Sequence, residues 1–176
     1  MIGVVEMYKI GDKIVYPMHG AGIIEAIEER EIFEEIKPYY IMQIVSEGLQ
    51  ILIPVDKVDD IGVRTIVTQP VIDEMIETLK LPMDVMEKNW NRRYREHLER
   101  LKTGDIFEVA KVVKNLILLD RLKGLSTGEK KMLNNARNFI VSEMVLIQDK
   151  DKEEILDLIN SSVHSEAWIS RLLLYL

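Results

Sequence analysis

The chain has 176 residues, 30 Asp and Glu against 23 Lys and Arg for a net charge of -7, and 47% hydrophobic residues. That is ample apolar material for a packed core in one domain or two small ones, and it excludes an intrinsically disordered chain. The absence of cysteine excludes a disulfide framework, a thiol nucleophile and a Cys-type zinc site, and the acidic total excludes whole-surface attraction to nucleic acid, so any such contact must be a local patch.

In chain order, the start Met1 to Glu6 lacks a basic flank and is too short for a signal peptide, and Met7 is as good an initiator as Met1. No apolar run approaches the roughly 20 residues of a membrane span. Cytoplasm is the expected location, with no membrane partner. Residues Ile14–Tyr16, Gly22–Ile27, Tyr39–Val45 and Gln50–Val55 are rich in β-branched and aromatic types and read as short strands. Gly11-Asp12, Pro17-Met18-His19-Gly20 and Ser46-Glu47-Gly48 punctuate them. Helix is the alternative over Ile23–Ile36, where the acidic cluster could sit, but the flanking glycines and the Ile23-Ile24 pair favour strand.

Beyond Thr68 the period becomes helical. Val71, Ile72, Met75, Ile76 and Leu79 share a face, with Pro70 in the first turn and Leu81-Pro82 ending the run. After a loop, Trp90, Tyr94, Leu98 and Leu101 mark a second stripe, closed by Thr103-Gly104. Asp105 with Glu108 opens a third helix with Ile106, Val109, Ala110, Val113 and Ile117 on one side. Ser126 with Glu129 is a cleaner capping box, opening a fourth helix that buries Leu133, Ala136, Ile140, Met144 and Ile147. A final helix from about Asp151 carries Ile155, Leu158 and Ile159, and the apolar tail Trp168–Leu176 is expected to dock on the bundle. The fold class is therefore α+β: a small, bent β-barrel of the SH3 or Tudor type over 1–66, followed by an all-α bundle of about five helices over 67–176.

Charge separates along the same division. Met1–Pro70 holds six cations against twelve anions, whereas Lys88–Lys131 holds twelve against six, a local +6 inside a chain of -7. Such asymmetry suggests two surfaces with different partners, although a solvated mixed-charge helical surface gives the same pattern.

An enzyme needs a constellation, and the usual ones are missing. His19, His97 and His164 lie in three different segments without metal-ligand spacing, and Gly20-Ala21-Gly22 lacks the third glycine of a dinucleotide loop and precedes a strand. His19 reads as a turn residue. Neither catalysis, a cofactor nor a small-molecule substrate is expected.

Trp90 supports two readings. As the first member of the Trp90/Tyr94/Leu98/Leu101 stripe it belongs to the core. At the start of a helix, between Asn89 and Asn91 and ahead of Arg92, Arg93 and Arg95, it can instead project beyond the bundle, where an indole flanked by Arg suits a nucleic-acid edge. At 100° per residue the three arginines span nearly the whole helix circumference, so at least one must be structural, with Glu96 and Glu99 within pairing range.

The stretch Tyr8–Gly20, then Asn89-Trp90-Asn91-Arg92-Arg93-Tyr94, then Leu125-Ser126-Thr127-Gly128-Glu129-Lys130 resembles the bacterial CarD/CdnL transcription regulators, in order and with compatible spacing from about Met7 to Ile147. The resemblance implies a barrel that binds the β subunit of RNA polymerase and a helical domain that meets promoter DNA at the upstream edge of the transcription bubble. It implies Trp90 as a minor-groove wedge at the fork junction that stabilises the open complex, with Arg92, Arg93, Arg95 and Lys130 on the DNA backbone. For polymerase it implies Arg30, with Ile32, Leu52 and Pro54 beside it. Leu52 stands where some members carry Arg, which points to a more apolar contact with strand Gln50–Pro54 as an edge, and Leu118-Leu119 replaces a more basic stretch, which narrows the DNA patch. A protein-protein adaptor without direct DNA contact is the alternative. A fragment of a transcription-repair coupling factor shares the barrel motif, but no ATPase motor follows.

Overall fold

In the computed structural model of the chain, residues 7–163 other than Phe33 are described. Five antiparallel strands come first: β1 (Lys13–Tyr16), β2 (Gly20–Ile32), β3 (Glu35–Ile44), β4 (Gln50–Pro54) and β5 (Arg64–Thr65), in the order β4-β3-β2-β1-β5. A short turn of helix, α1 (Val58–Ile61), precedes β5, and α2 (Gln69–Lys80), α3 (Trp90–Lys102), α4 (Ile106–Lys123), α5 (Thr127–Gln148) and α6 (Lys152–Ser162) follow. The class is α+β. The tail Trp168–Leu176 lies outside the described residues.

The acidic stretch is strand, not helix. β2 and β3 pair continuously out to Ile32↔Glu35, and the turn between them holds Glu34 at φ 65°. A register shift between Ile24 and Ala26 bends the sheet there, as a β-bulge does. Tyr8, Ile14, Ile24, Tyr40, Met42, Ile44, Ile53, Val55, Val58 and Val63 fill its concave side.

The opposite side of the first hairpin is not solvated. Val15 and Ala21 are fully buried and belong to the core of the helices. Gly20 explains how closely sheet and bundle approach, and Gly22 how closely β2 and β3 do. A Cβ on Gly20, which sits at φ +111°, would lie 2.5 Å from the Ser142 hydroxyl on α5, and one on Gly22 would lie 2.2 Å from the Gln43 carbonyl on β3. The Ala21 amide donates to Ser142 Oγ at 2.7 Å, and Pro17 packs under Gly104. Gly20 and Ala21 thus form a docking surface between sheet and bundle. Beside it the Arg64 guanidinium meets the fully buried Glu143 carboxylate at 2.7 and 2.9 Å, and the Val67 amide donates to the same carboxylate at 2.8 Å.

Local signals place the helices. Pro70 lies in the first turn of α2, Asp105 accepts from the Phe107 and Glu108 amides to start α4, the Ser126/Glu129 capping box starts α5, and Asp151 caps α6. Helix α4 is buried nearly all round, Leu118 and Leu119 included, where a single apolar face was expected. It runs between α2, α3 and α5, so every side meets a neighbour. Among the described residues no helix is long and apolar enough to cross a membrane.

Candidate functional site

The N-terminus of α3 and that of α5 meet. Asn89 caps α3 by accepting from the Arg92 amide, which fixes the first turn and sets Trp90 at its outer edge. Trp90 is 43% exposed, which decides against the core reading. The indole is nevertheless held. Its Nε1–H donates to Ser126 Oγ at 2.9 Å, its ring stacks on Tyr94 at a centroid distance of 5.4 Å and 28° between planes, and the first turn of α5 lies beneath both rings at Gly128.

The inner face of α3 is Arg93, His97 and Leu101, not the expected stripe, whose Tyr94 and Leu98 are half-buried. Arg93 corrects the sequence reading. It is 5% exposed and is not available to a DNA backbone. Its Nε and Nη2 donate to Glu129 Oε1 at 3.0 and 2.7 Å, and its Nη1 donates to the carbonyls of Glu87 and Lys88. The partner is therefore Glu129 on α5 and not Glu96 or Glu99 on its own helix. A guanidinium at the first inward position of α3 lies against the capping carboxylate of α5, where planar bidentate donors fit best.

The Glu129 carboxyl shows the balance of forces. Burial pushes it up, but the hydrogen bonds from Arg93 and from the Ser126 hydroxyl and amide outweigh that and hold it below the ordinary carboxylate range. His97, one turn further along, is buried with Nδ1 lacking a partner, and burial together with Arg100 and Arg93 lowers it to about 4, so the ring is neutral at pH 7. The loop that delivers α3 is also clamped. Asp84 accepts from the buried Lys114 at 2.9 Å and from Asn115 at 3.0 Å, and its own amide donates to Asn115 Oδ1 at 3.0 Å.

Around Trp90 the remaining cations point outward. Arg92 is exposed with a 3.3 Å contact to Glu87, and Arg95 and Lys130 are exposed with no acidic side chain in ion-pair range among the described residues. The structure thus gathers Trp90, Arg92 and Lys130 at the two helix starts, carries Arg95 on the next turn of α3, and withdraws Arg93.

The other candidate set lies on the sheet. Leu52 pairs with Ile41 and Ile41 with Ala26, while Pro54 pairs with Tyr39 and Tyr39 with Glu28. Because cross-strand partners share a face and alternate residues return to it, Leu52, Pro54, Arg30 and Ile32 lie on one face. Leu52 is 46% exposed on the edge strand β4, Ile32 is exposed, and Arg30 is paired with Glu28. On the other face of the same hairpin Ile36 is exposed too, which the sequence reading passed over.

Comparison with known proteins bears on both surfaces. Residues 8–67 match the family model described as CarD-like/TRCF RID domain, and residues 74–160 match the model described as CarD, C-terminal domain. A protein of Bacillus subtilis (strain 168) named "Putative transcription factor YdeB" is 40% identical over 156 residues, covering 85% of this chain and 97% of that protein. The chain belongs to the CarD family. Two of the motifs that carry the resemblance, around Trp90 and around Ser126, are therefore the two halves of one structure in this CarD-family chain. The third, Tyr8–Gly20, docks the sheet on α5. Sequence reasoning missed the links from Ser126 to Trp90 and from Glu129 to Arg93. The polar period Arg93-His97, with the capping box, was the signal that an ion pair lies inside.

Proposed function

We propose that this CarD-family transcription regulator binds RNA polymerase through its sheet domain and holds the promoter open through its helical domain. On this reading the β subunit meets the face carrying Arg30, Ile32, Leu52 and Pro54, with the free edge of β4 available for strand addition. Trp90 wedges into the minor groove at the upstream fork and opposes reannealing, while Arg92, Arg95 and Lys130 follow the phosphates. The observation that carries the reading is Trp90 itself: a large apolar ring left exposed among cations, yet tethered to a neighbouring helix.

The acidic total charge fits this division of labour. Anchoring through the sheet raises the effective concentration of the helices at the promoter, so weak DNA contacts suffice. A contact made only with opened DNA shifts the closed-to-open equilibrium, and about 1.4 kcal/mol corresponds to a tenfold shift. Such a regulator works wherever polymerase engages DNA, at the nucleoid.

The test is Trp90→Ala in a lifetime assay of polymerase-promoter open complexes. A shortened lifetime with unchanged polymerase affinity is expected, and an unchanged lifetime with a folded variant sinks the wedge. A protein-protein adaptor would show neither preference for forked over duplex promoter DNA nor a counterion slope in salt titration.

A further inference from the structure

The Ser126 hydroxyl has one proton to donate and two lone pairs, and all three are used. It donates to Glu129 Oε2 at 2.8 Å, accepts from the Trp90 indole N–H at 2.9 Å, and accepts from the Glu129 amide at 3.3 Å. Behind it Glu129 is locked by the buried Arg93, whose Nη1 reaches back to the loop that begins α3. The chain of contacts therefore closes a ring: indole, serine, carboxylate, guanidinium, and the backbone just before the indole.

We infer that Ser126 is a positioning residue for Trp90, holding the exposed indole in one orientation on the first turn of α5 so that it meets DNA already set as a wedge. This rests on the function proposed above. A capping serine needs only its acceptor oxygen to start α5, and that duty does not involve Trp90. An untethered exposed indole samples several side-chain rotamers, and binding must then select one. Tyr94 limits the ring on one face, and Gly128 leaves a shallow floor, 3.6 Å below Trp90 Cζ2 for a built Cβ, along which the ring could still slide. The Ser126 bond is the contact that fixes the azimuth. It also occupies the indole N–H, so the edge left for DNA is hydrocarbon.

The test uses full-length protein with polymerase holoenzyme on promoter DNA, at saturating regulator, and a Trp168→Phe background in which Trp90 is the remaining tryptophan. Ser126→Ala is expected to shorten open-complex lifetime about threefold, the lower part of the range for one net hydrogen bond because this bond is partly solvated. Acrylamide quenching of Trp90 should rise, polymerase affinity should hold, and Ser126→Thr should restore both lifetime and quenching. In a Trp90→Phe background, where no indole N–H exists, Ser126→Ala should change lifetime no further. An equal effect there makes Ser126 a helix cap alone and overturns the inference, as does an unchanged lifetime in Ser126→Ala when Trp90→Ala shortens it. If Trp90→Ala itself leaves lifetime unchanged, the wedge reading has failed, and the quenching arm still decides whether Ser126 holds the ring.

Discussion

Arg93→Ala, set beside Arg95→Ala, separates a structural arginine from one proposed to meet DNA. The change removes both contacts to Glu129 Oε1, at 3.0 and 2.7 Å, and the contacts to the Glu87 and Lys88 carbonyls at 3.0 and 3.3 Å. Glu129, 3% exposed, is left with only the Ser126 donors. Breaking a buried pair by deleting one partner costs about 3–5 kcal/mol, and because Ser126 still serves the carboxylate the lower end, about 3 kcal/mol, is expected. Arg95→Ala, at an exposed site, should stay within about 0.5 kcal/mol of the parent. Equilibrium urea unfolding at pH 7 reads both. With a slope of about 2 kcal/mol/M, Arg93→Ala lowers the midpoint by about 1.5 M and Arg95→Ala leaves it nearly in place. Binding to forked DNA in low denaturant should invert the ranking in one respect: Arg95→Ala reduces the salt slope by about one phosphate contact. An Arg93→Ala protein as stable as the parent, with the same loss of salt slope as Arg95→Ala, would refute the assignment.

Two further outcomes follow from buried groups. His97 is lowered from 6.5 to about 4 by burial, then by Arg100 and Arg93, against opposing pulls from Glu129 and Asp84. The unfolded chain therefore takes up the proton first as pH falls, so the His97 contribution is fully present above about 6.5 and is lost progressively toward 4, about 3 kcal/mol in all. Glu129 and Asp84 are both held below their ordinary values, so their losses begin at lower pH and leave the window from 6.5 to 5 to His97. Urea midpoints across that window should fall for the parent and flatten in His97→Gln. At the junction of sheet and bundle, Glu143→Ala strips the Arg64 guanidinium and the Val67 amide of their acceptor, and a loss of about 3 kcal/mol in thermal or urea unfolding is expected. An unperturbed melting curve would show that the latch carries no weight.

Much of this was legible in the sequence, and the misses have one physical origin. The strands and the capping box at Ser126 follow from periods and caps, which are local, whereas the period placed Trp90 in a core stripe and its position at a helix start pointed outward, and the 43% exposure of the folded indole decides between them. Arg93 could not be assigned from its own helix, because its partner lies on α5 and is brought near only by packing of α3 against it. Periodicity assigned Tyr94 and Leu98 to the interior, yet α3 turns Arg93 inward, since its ion pair with Glu129 outcompetes two side chains that lose little by staying half-buried, and His97, one turn along the same face, is carried in with it. Gly20 was visible as turn chemistry and Gly22 as the start of a strand, but the reason for each, Ser142 pressing on Gly20 from α5 and Gln43 on Gly22 from β3, is tertiary.

Helix α5 then acquires a role that no single motif reveals. Its first residues tether Trp90 through Ser126, and its later turns receive the sheet at Ser142, Glu143 and, through the Lys13 ammonium, the Leu146 carbonyl. From Ser126 to Ser142 is roughly 24 Å of helix at about 1.5 Å per residue, a fixed spacer with no glycine or proline within that interval beyond Gly128 in its first turn. If the sheet anchors on polymerase and Trp90 acts at the fork, the reach from one to the other is set by that helix and by the fit of Gly20 against it, not by a linker. Loosening either end should therefore shorten open-complex lifetime even where both binding surfaces are intact, because the indole would no longer arrive at the fork in register with the anchored sheet.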